Sequence, residues 1–496
     1  MNRSPYPRND SQQHCVIAGG GLAGIAASLK LAQAGFRVTL LEAKRRLGGR
    51  AGSYSPNDSG DDQIDYCQHV GMGCCHALQQ LIEMLDQQEQ WTRHRELHFY
   101  GPSGRYSKLG ALPLLPAPLH IGHWIFKWPD LSLPDRMHVA RGMLALSQLD
   151  IQDPNSHDVP AITWLKENGQ TESCIAAFWT TVIVSALGEQ TDRVSLYSVA
   201  KVFQDGFLGA RDAFHLLVPQ RPLDELFNFG AMASLKKAGV DVRLSCPLKA
   251  IAPRQASKHS RGFEIMTPDH VFHADELIVA LPWHQISRLC PQIGTAQLTA
   301  LEDFLKVTGE NCQQLGSSPI TGVHTWWDGP WLETQHATIV NRLCQWVFPK
   351  PTVNLTSPWT QPKSSGVAAD LPSSTRNSLE SSQFSDSTYY QIVISASRDL
   401  SSLCKAELSH AIHEDLGQVF PKAKRAKLLR CEAVTDPNSV FSVRSGSAAF
   451  RPDQKTEIPG LWLAGDWTQT GWPATMEGAI LSGFSAAGRI MGQHQH

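Results

Sequence analysis

Residues 14–50 read HCVIAGGGLAGIAASLKLAQAGFRVTLLEAKRRLGGR, and this stretch decides the fold. Val16, Ile17 and Ala18 are apolar, residues 22–34 are helix formers, Gly35 is a natural helix stop, and residues 38–41 are apolar again before Glu42. The order is strand, glycine turn, helix, strand: a βαβ unit. Gly19, Gly21 and Gly24 give the spacing G-x-G-x-x-G. The first glycine allows a tight turn, the second lets the backbone approach a pyrophosphate, and the third brings helix against strand. The helix N-terminus adds positive partial charge for the phosphates. Glu42, eighteen residues after Gly24, can accept both ribose hydroxyls of an adenosine and would repel a 2′-phosphate, which disfavours NADP in this site. In register, these features specify a dinucleotide site without saying which dinucleotide.

The rest of the composition narrows the class. At 496 residues the chain predicts two domains, and 42% hydrophobic with 18% charged residues is ordinary for a globular protein. A formal net charge of −2 and the lack of a basic tract argue against nucleic acid as a partner. The eleven cysteines contain no Cys-x-x-Cys pair, and the polar first residues lack a signal-peptide core. The expected location is therefore cytoplasmic. Cys67, Cys74 and Cys75 flank His69 and His76 with no zinc spacing, so no metal is expected. Residues 109–126, LGALPLLPAPLHIGHWIF, are uncharged and about long enough to span a bilayer. Pro113, Pro116 and Pro118 would break the helix, and His120 and His123 add polar cost, so a span is not expected. The segment suits a substrate-channel wall, a lip in peripheral contact with the inner face of a membrane, or an internal core loop.

Gly48, Gly49 and Arg50 follow Glu42 in RRLGGRAGS, where glycine amides can form an anion nest and a guanidinium can reach a phosphate or a ring carbonyl. Glycine turn, acid and Gly-Gly-Arg together resemble the FAD-binding amine oxidase and phytoene desaturase superfamily. The resemblance implies a Rossmann-like FAD-binding domain with an interleaved α+β substrate or cap domain. It also gives residues 460–491, GLWLAGDWTQTGWPATMEGAILSGFSAAGRIM, a role. IPGLWLAGD resembles the superfamily's last sheet strand, with Gly465 and Asp466 at its carboxyl end, and the following helix would turn amides near Thr475 and Met476 toward the flavin. Leu248 matches the position that holds adenine through backbone groups. The implied cofactor-binding residues are Gly19, Gly20, Gly21, Leu22, Ala23, Gly24, Glu42, Ala43, Gly48, Gly49, Arg50, Gln68, His69, Leu248, Gly465, Asp466, Thr475, Met476 and Glu477. No cysteine follows Cys431, so the FAD is expected to be noncovalent.

The implied FAD-binding segments are 12–75, 228–290 and 431–493, with the cap formed by 76–227 and 291–430. Leu78, Leu81, Ile82 and Leu85 share one helix face and read as core. Residues 350–387, rich in Ser, Pro, Thr and Asn, predict a disordered insertion.

TGWPATMEGAILSG, DYCQHVGMGCC, PLLPAPLH and CQWVF sharpen the resemblance, toward hydroxysqualene dehydroxylases, also described as squalene-associated FAD-dependent desaturases. Cys67 departs from the glycine of many relatives. The resemblance implies reductive removal of an allylic hydroxyl from hydroxysqualene to give squalene for hopanoid or sterol synthesis, acting on an apolar isoprenoid. His69 and Asp65 are the candidate proton donors. No second G-x-G-x-x-G unit appears, so NAD(P)H or a redox partner is the expected electron donor. Trp326, Trp327 and Trp331 are candidates for a pocket lining or for core. The rival readings are a polyprenoid desaturase or isomerase, an amine oxidase, and a non-enzymatic prenyl-lipid binding protein.

Overall fold

The computed structural model describes residues 12–55, 63–254, 262–289, 299–350 and 387–493. The βαβ unit comprises β1 (His14–Ala18), α1 (Leu22–Gln33) and β2 (Arg37–Leu41). Gly35 follows the end of α1 with a φ of +89°, a left-handed turn that costs glycine little. Every residue of β1 is buried, as a strand covered on both faces must be.

Five parallel strands form one sheet in the order Asp241–Arg243, β2, β1, Glu276–Val279, Leu461–Leu463. Strands from both ends of the chain thus share a sheet. Ala18 stands beside Leu41 and Val279, and Val279 beside Leu463, so these strands open at a common carboxyl edge. Such an edge is where open α/β sheets take ligands. Behind it, α1 packs on the last helix, Met476–Gln493, through small residues: a Cβ added at Gly483 would lie 2.1 Å from the Ala23 carbonyl oxygen.

A second, seven-stranded mixed sheet has the order Leu428–Phe441, Ser317–Trp327, Thr388–Ser395, Trp346–Lys350, Ala337–Ile339, Leu97–Tyr100, Tyr106–Leu109. Leu428–Phe441 belongs to it along its full length, so no break between sheets falls at residue 431. Gly71–Met72 likewise pairs away from the nucleotide-binding sheet, with Leu216–Pro219. The expected insertion 350–387 lies outside the described residues except at its two ends.

The helix read from Leu78, Leu81, Ile82 and Leu85 is His76–Met84, and its apolar face is buried. Trp327 and Trp331 are core residues, packed with Tyr390 and Phe420 rather than lining a pocket. After Tyr106–Leu109 the proline-rich segment runs irregularly to a turn at Leu119–Ile121 and the short helix Gly122–Ile125. Among the described residues no helix is long and apolar enough to cross a membrane.

Candidate flavin site

The glycine turn is shaped by close backbone approaches. Gly19 has a φ of +118° and its amide donates to the Leu41 carbonyl at 2.8 Å. A Cβ on Gly19 would lie 2.4 Å from the Ala280 carbonyl oxygen, and one on Gly24 would lie 1.9 Å from the Gly19 carbonyl oxygen. Neither position tolerates a side chain without backbone movement. The Gly-Gly-Arg turn docks directly on this loop: the Gly48 amide donates to the Gly20 carbonyl at 2.9 Å, and Gly48 and Gly49 both hold positive φ, +91° and +62°. Glu42 is buried, and its two carboxylate oxygens accept the amides of Gly20 and Lys44, each at 2.7 Å. These bonds fix the carboxylate at the carboxyl end of β2. Ala43 beside it is exposed.

The far end of the chain completes the site. Arg50 donates to the Asp466 carboxylate at 2.6 Å and to the Ser439 carbonyl at 2.8 Å, and its guanidinium lies 5.4 Å from the Trp283 ring centre. Gly465 has a φ of +139° and donates its amide to Ser482 Oγ at 2.7 Å. Thr475 caps the last helix by accepting the Gly478 amide at 3.1 Å. Gly465, two residues past the last strand, is thus tied to the second turn of that helix, whose first amides carry the positive end of its dipole.

Sequence reasoning missed Arg451. Its Nη2 donates to the carbonyls of Asp466, Thr468 and Trp472 at 3.0, 2.6 and 2.8 Å, which pins the loop between strand and helix. Burial pulls this guanidinium's pKa down to about 10. The only local signal was an arginine before Pro452, shortly ahead of the last strand, and that signal is weak.

Two expected residues have other work. The Asp65 side chain is fully buried, and its Oδ1 accepts the Ser53 hydroxyl and the Leu223 amide, both at 2.7 Å. A carboxylate held this way anchors chain segments, which argues against Asp65 as a proton donor. Glu477 accepts the amides of Ala77 and Leu78, each at 2.8 Å, and so caps helix His76–Met84. Burial raises its pKa, and the two backbone amides oppose that rise.

His69 Nδ1 lies 2.9 Å from the Cys67 carbonyl oxygen, so Nδ1 carries the proton. Gln68 donates to the His69 carbonyl at 3.1 Å, while its buried Oε1 has no hydrogen-bond partner among the described residues. Leu248 lies just after Ser245 and Cys246, whose amides donate to the carbonyls of Lys44 and Glu42 at 2.9 and 2.8 Å. The 245–248 turn is thus tied to the carboxyl end of β2.

A family model described as flavin containing amine oxidoreductase matches residues 22–491. The chain belongs to this family. It is an FAD-dependent oxidoreductase, and the residues present fit FAD: a glycine turn closed by backbone contacts at Gly19 and Gly24, a carboxylate at the end of β2, a buried unsatisfied amide oxygen and a capped helix start. A 15-cis-phytoene desaturase from Solanum lycopersicum is 24% identical over 99% of this chain and 79% of its own length. A zeta-carotene desaturase from Synechocystis is 23% identical, covering 96% of each chain. Among solved structures, cyclohexylamine oxidase from Brevibacterium oxydans superposes with a TM-score of 0.66 at 15% identity, covering 98% of this chain and 100% of that one. An oxidoreductase from Methanosarcina mazei gives a TM-score of 0.65, also at 15% identity, over 95% of this chain and 99% of its own. This likeness is one of fold.

Proposed function

We propose that this flavoenzyme reductively removes the allylic hydroxyl of hydroxysqualene to give squalene. One observation carries the reading: the two segments of the finer resemblance, DYCQHVGMGCC and PLLPAPLH, converge. Gly71–Met72 pairs with Leu216–Pro219, and the preceding Phe214 lies 6.0 Å, ring to ring, from His120 at the end of PLLPAPLH. Around them is an apolar interior of Trp124, Trp128, Phe178 and Phe207. An apolar interior with sparse polar groups is the kind of surrounding that an isoprenoid chain bearing one hydroxyl calls for.

Hydroxide is a poor leaving group, so the reaction consumes one proton and one hydride and releases water. When bound and reduced, FAD would supply the hydride, with NAD(P)H or a redox partner as the source of its electrons. In this reading the turn Gly19–Gly24 with Leu22 and Ala23 carries the pyrophosphate, Glu42 the ribose and Leu248 the adenine. Arg50, Asp466 and the amides of Thr475 and Met476 serve the ring end, where a helix N-terminus favours negative charge. His69 donates the proton. With Nδ1 committed to the Cys67 carbonyl, it can give a proton only from Nε2 and only as imidazolium. The apolar surroundings keep water from an allylic cation.

Exposed side chains support contact with a membrane surface, from which so apolar a substrate would come. Leu114, Leu119 and Phe126 are 95%, 60% and 45% exposed, and Leu133, Met137 and Leu144 lie on one exposed face of helix Leu133–Ser147. Arg136 donates to the Phe126 carbonyl, joining loop and helix. Loss of liposome binding when Leu114, Leu119 and Phe126 are all replaced by serine would support this contact, and unchanged binding would refute it.

The relatives named for phytoene and zeta-carotene favour a second reading, hydride removal from a polyprenoid hydrocarbon by oxidised enzyme. Product analysis separates the two. Squalene formed from hydroxysqualene by chemically reduced enzyme supports the first. Unchanged alcohol, with phytoene desaturated by oxidised enzyme, supports the second.

A further inference from the structure

His120 is out of place as a core residue. It is 0% exposed, yet neither ring nitrogen has a hydrogen-bond partner among the described residues. An imidazole can always offer one donor and one acceptor, and leaving both unmade in the interior is costly. The backbone leaves little freedom to relieve this. The His120 amide donates to the Pro116 carbonyl at 3.0 Å, its carbonyl accepts from the Leu112 amide at 2.9 Å, and Arg211 ties the carbonyls of Leu112 and Pro113 to the far side of the loop. Its ring is thus fixed beside Phe214.

His215, next to Phe214, repeats the pattern: its Nδ1 is also buried and unpartnered among the described residues. Its carbonyl accepts the Gly73 amide at 2.8 Å, four residues past His69 in the chain. His215 is therefore bonded to the segment that carries His69, and His120 packs on Phe214 just before it. Burial lowers the pKa of both rings, with the charge of Arg211 adding to the effect at His120. Both rings are thereby held toward the neutral form, which has one donor and one acceptor. That pairing matches an alcohol, itself one donor and one acceptor, and not a phosphate, which calls for cations.

We propose that His120, assisted by His215, is the point at which the substrate site recognises the hydroxyl group of an isoprenoid alcohol. This rests on the dehydroxylase reading and adds to it a specificity-determining residue. His120 orients the alcohol and selects it over the hydrocarbon. The proton still comes from His69.

The test is binding without turnover. Oxidised holoenzyme is titrated with hydroxysqualene and with squalene in the same detergent, following the flavin spectrum, for wild type, His120→Phe and His120→Asn. Wild type is expected to prefer the alcohol by about tenfold or more, the worth of one good buried hydrogen bond. His120→Phe should abolish the preference by weakening alcohol binding alone, with no fall in Tm, because it removes an unsatisfied group from an apolar site. His120→Asn, which keeps a donor and an acceptor, should restore part of the preference. An unchanged ratio in His120→Phe, no preference in wild type, or a clear fall in Tm would each overturn the assignment. Turnover of hydroxysqualene by wild type tests the underlying reading separately: squalene formation with an unchanged binding ratio in His120→Phe would sink the His120 role and leave the dehydroxylase standing.

Discussion

Arg50 and Asp466 meet at 2.6 Å although 416 positions separate them in sequence. The pair locks the Gly-Gly-Arg turn to the carboxyl end of the last sheet strand, so neither end of the chain forms the site alone. The Asp466 side chain is only 3% exposed, against 33% for Arg50, which makes the loss asymmetric. Arg50→Ala leaves a buried carboxylate unpaired and is expected to cost about 3 kcal/mol of stability, with loss of FAD on gel filtration. Asp466→Asn keeps a hydrogen-bond acceptor and should cost less. Equal, small effects on urea unfolding in both variants would contradict this arrangement.

At Gly24 the prediction is steric. A methyl group there would sit 1.9 Å from the Gly19 carbonyl oxygen, an atom of the turn itself. Gly24→Ala should therefore yield folded protein that retains little FAD, whereas Gly35→Ala, with nothing within 4 Å of its added Cβ but a φ of +89°, should cost only about 1 kcal/mol and keep the flavin. The flavin-to-protein absorbance ratio of the purified variants decides it.

Glu477 offers a check on the division between structure and chemistry. If its carboxylate chiefly caps helix His76–Met84, Glu477→Gln should lower stability by about 1 to 2 kcal/mol while the flavin spectrum keeps its shape. A shifted flavin spectrum with unchanged stability would assign it to the cofactor instead.

These cases show what could be read in advance. The βαβ unit was legible because its determinants are local: an apolar strand, glycines at fixed spacing and an acid at the end of β2. The link to the C-terminus was legible only through resemblance, since nothing in residues 460–491 alone names their partner. Asp65 was read as a candidate proton donor and Glu477 as a cofactor contact because a carboxylate beside a ligand site looks the same in sequence whether it serves the ligand or the backbone amides of Leu223, Ala77 and Leu78. Arg451 escaped notice because its acceptors are carbonyl groups, which every residue has.

Acid should weaken the sheet through His14. Burial, aided by the charge of Arg37, lowers its pKa from 6.5 to about 4, while its ring bonds to the His273 carbonyl and the Thr39 hydroxyl. The folded state holds this ring neutral and the unfolded state protonates it first. Its contribution is therefore complete above pH 6.5 and is lost progressively toward pH 4, by about 3 kcal/mol. Urea midpoints across that range should fall less steeply in His14→Gln than in wild type, and parallel profiles would refute the assignment.

The central claim, reduction of an allylic alcohol at a flavin held by both ends of the chain, is tested most directly by a single anaerobic turnover. The purified holoenzyme is photoreduced, mixed with hydroxysqualene in the absence of oxygen, and followed by flavin absorbance with product quantified by mass spectrometry. The prediction is one flavin reoxidised for each squalene formed. A flavin that stays reduced while the alcohol is recovered intact would contradict it.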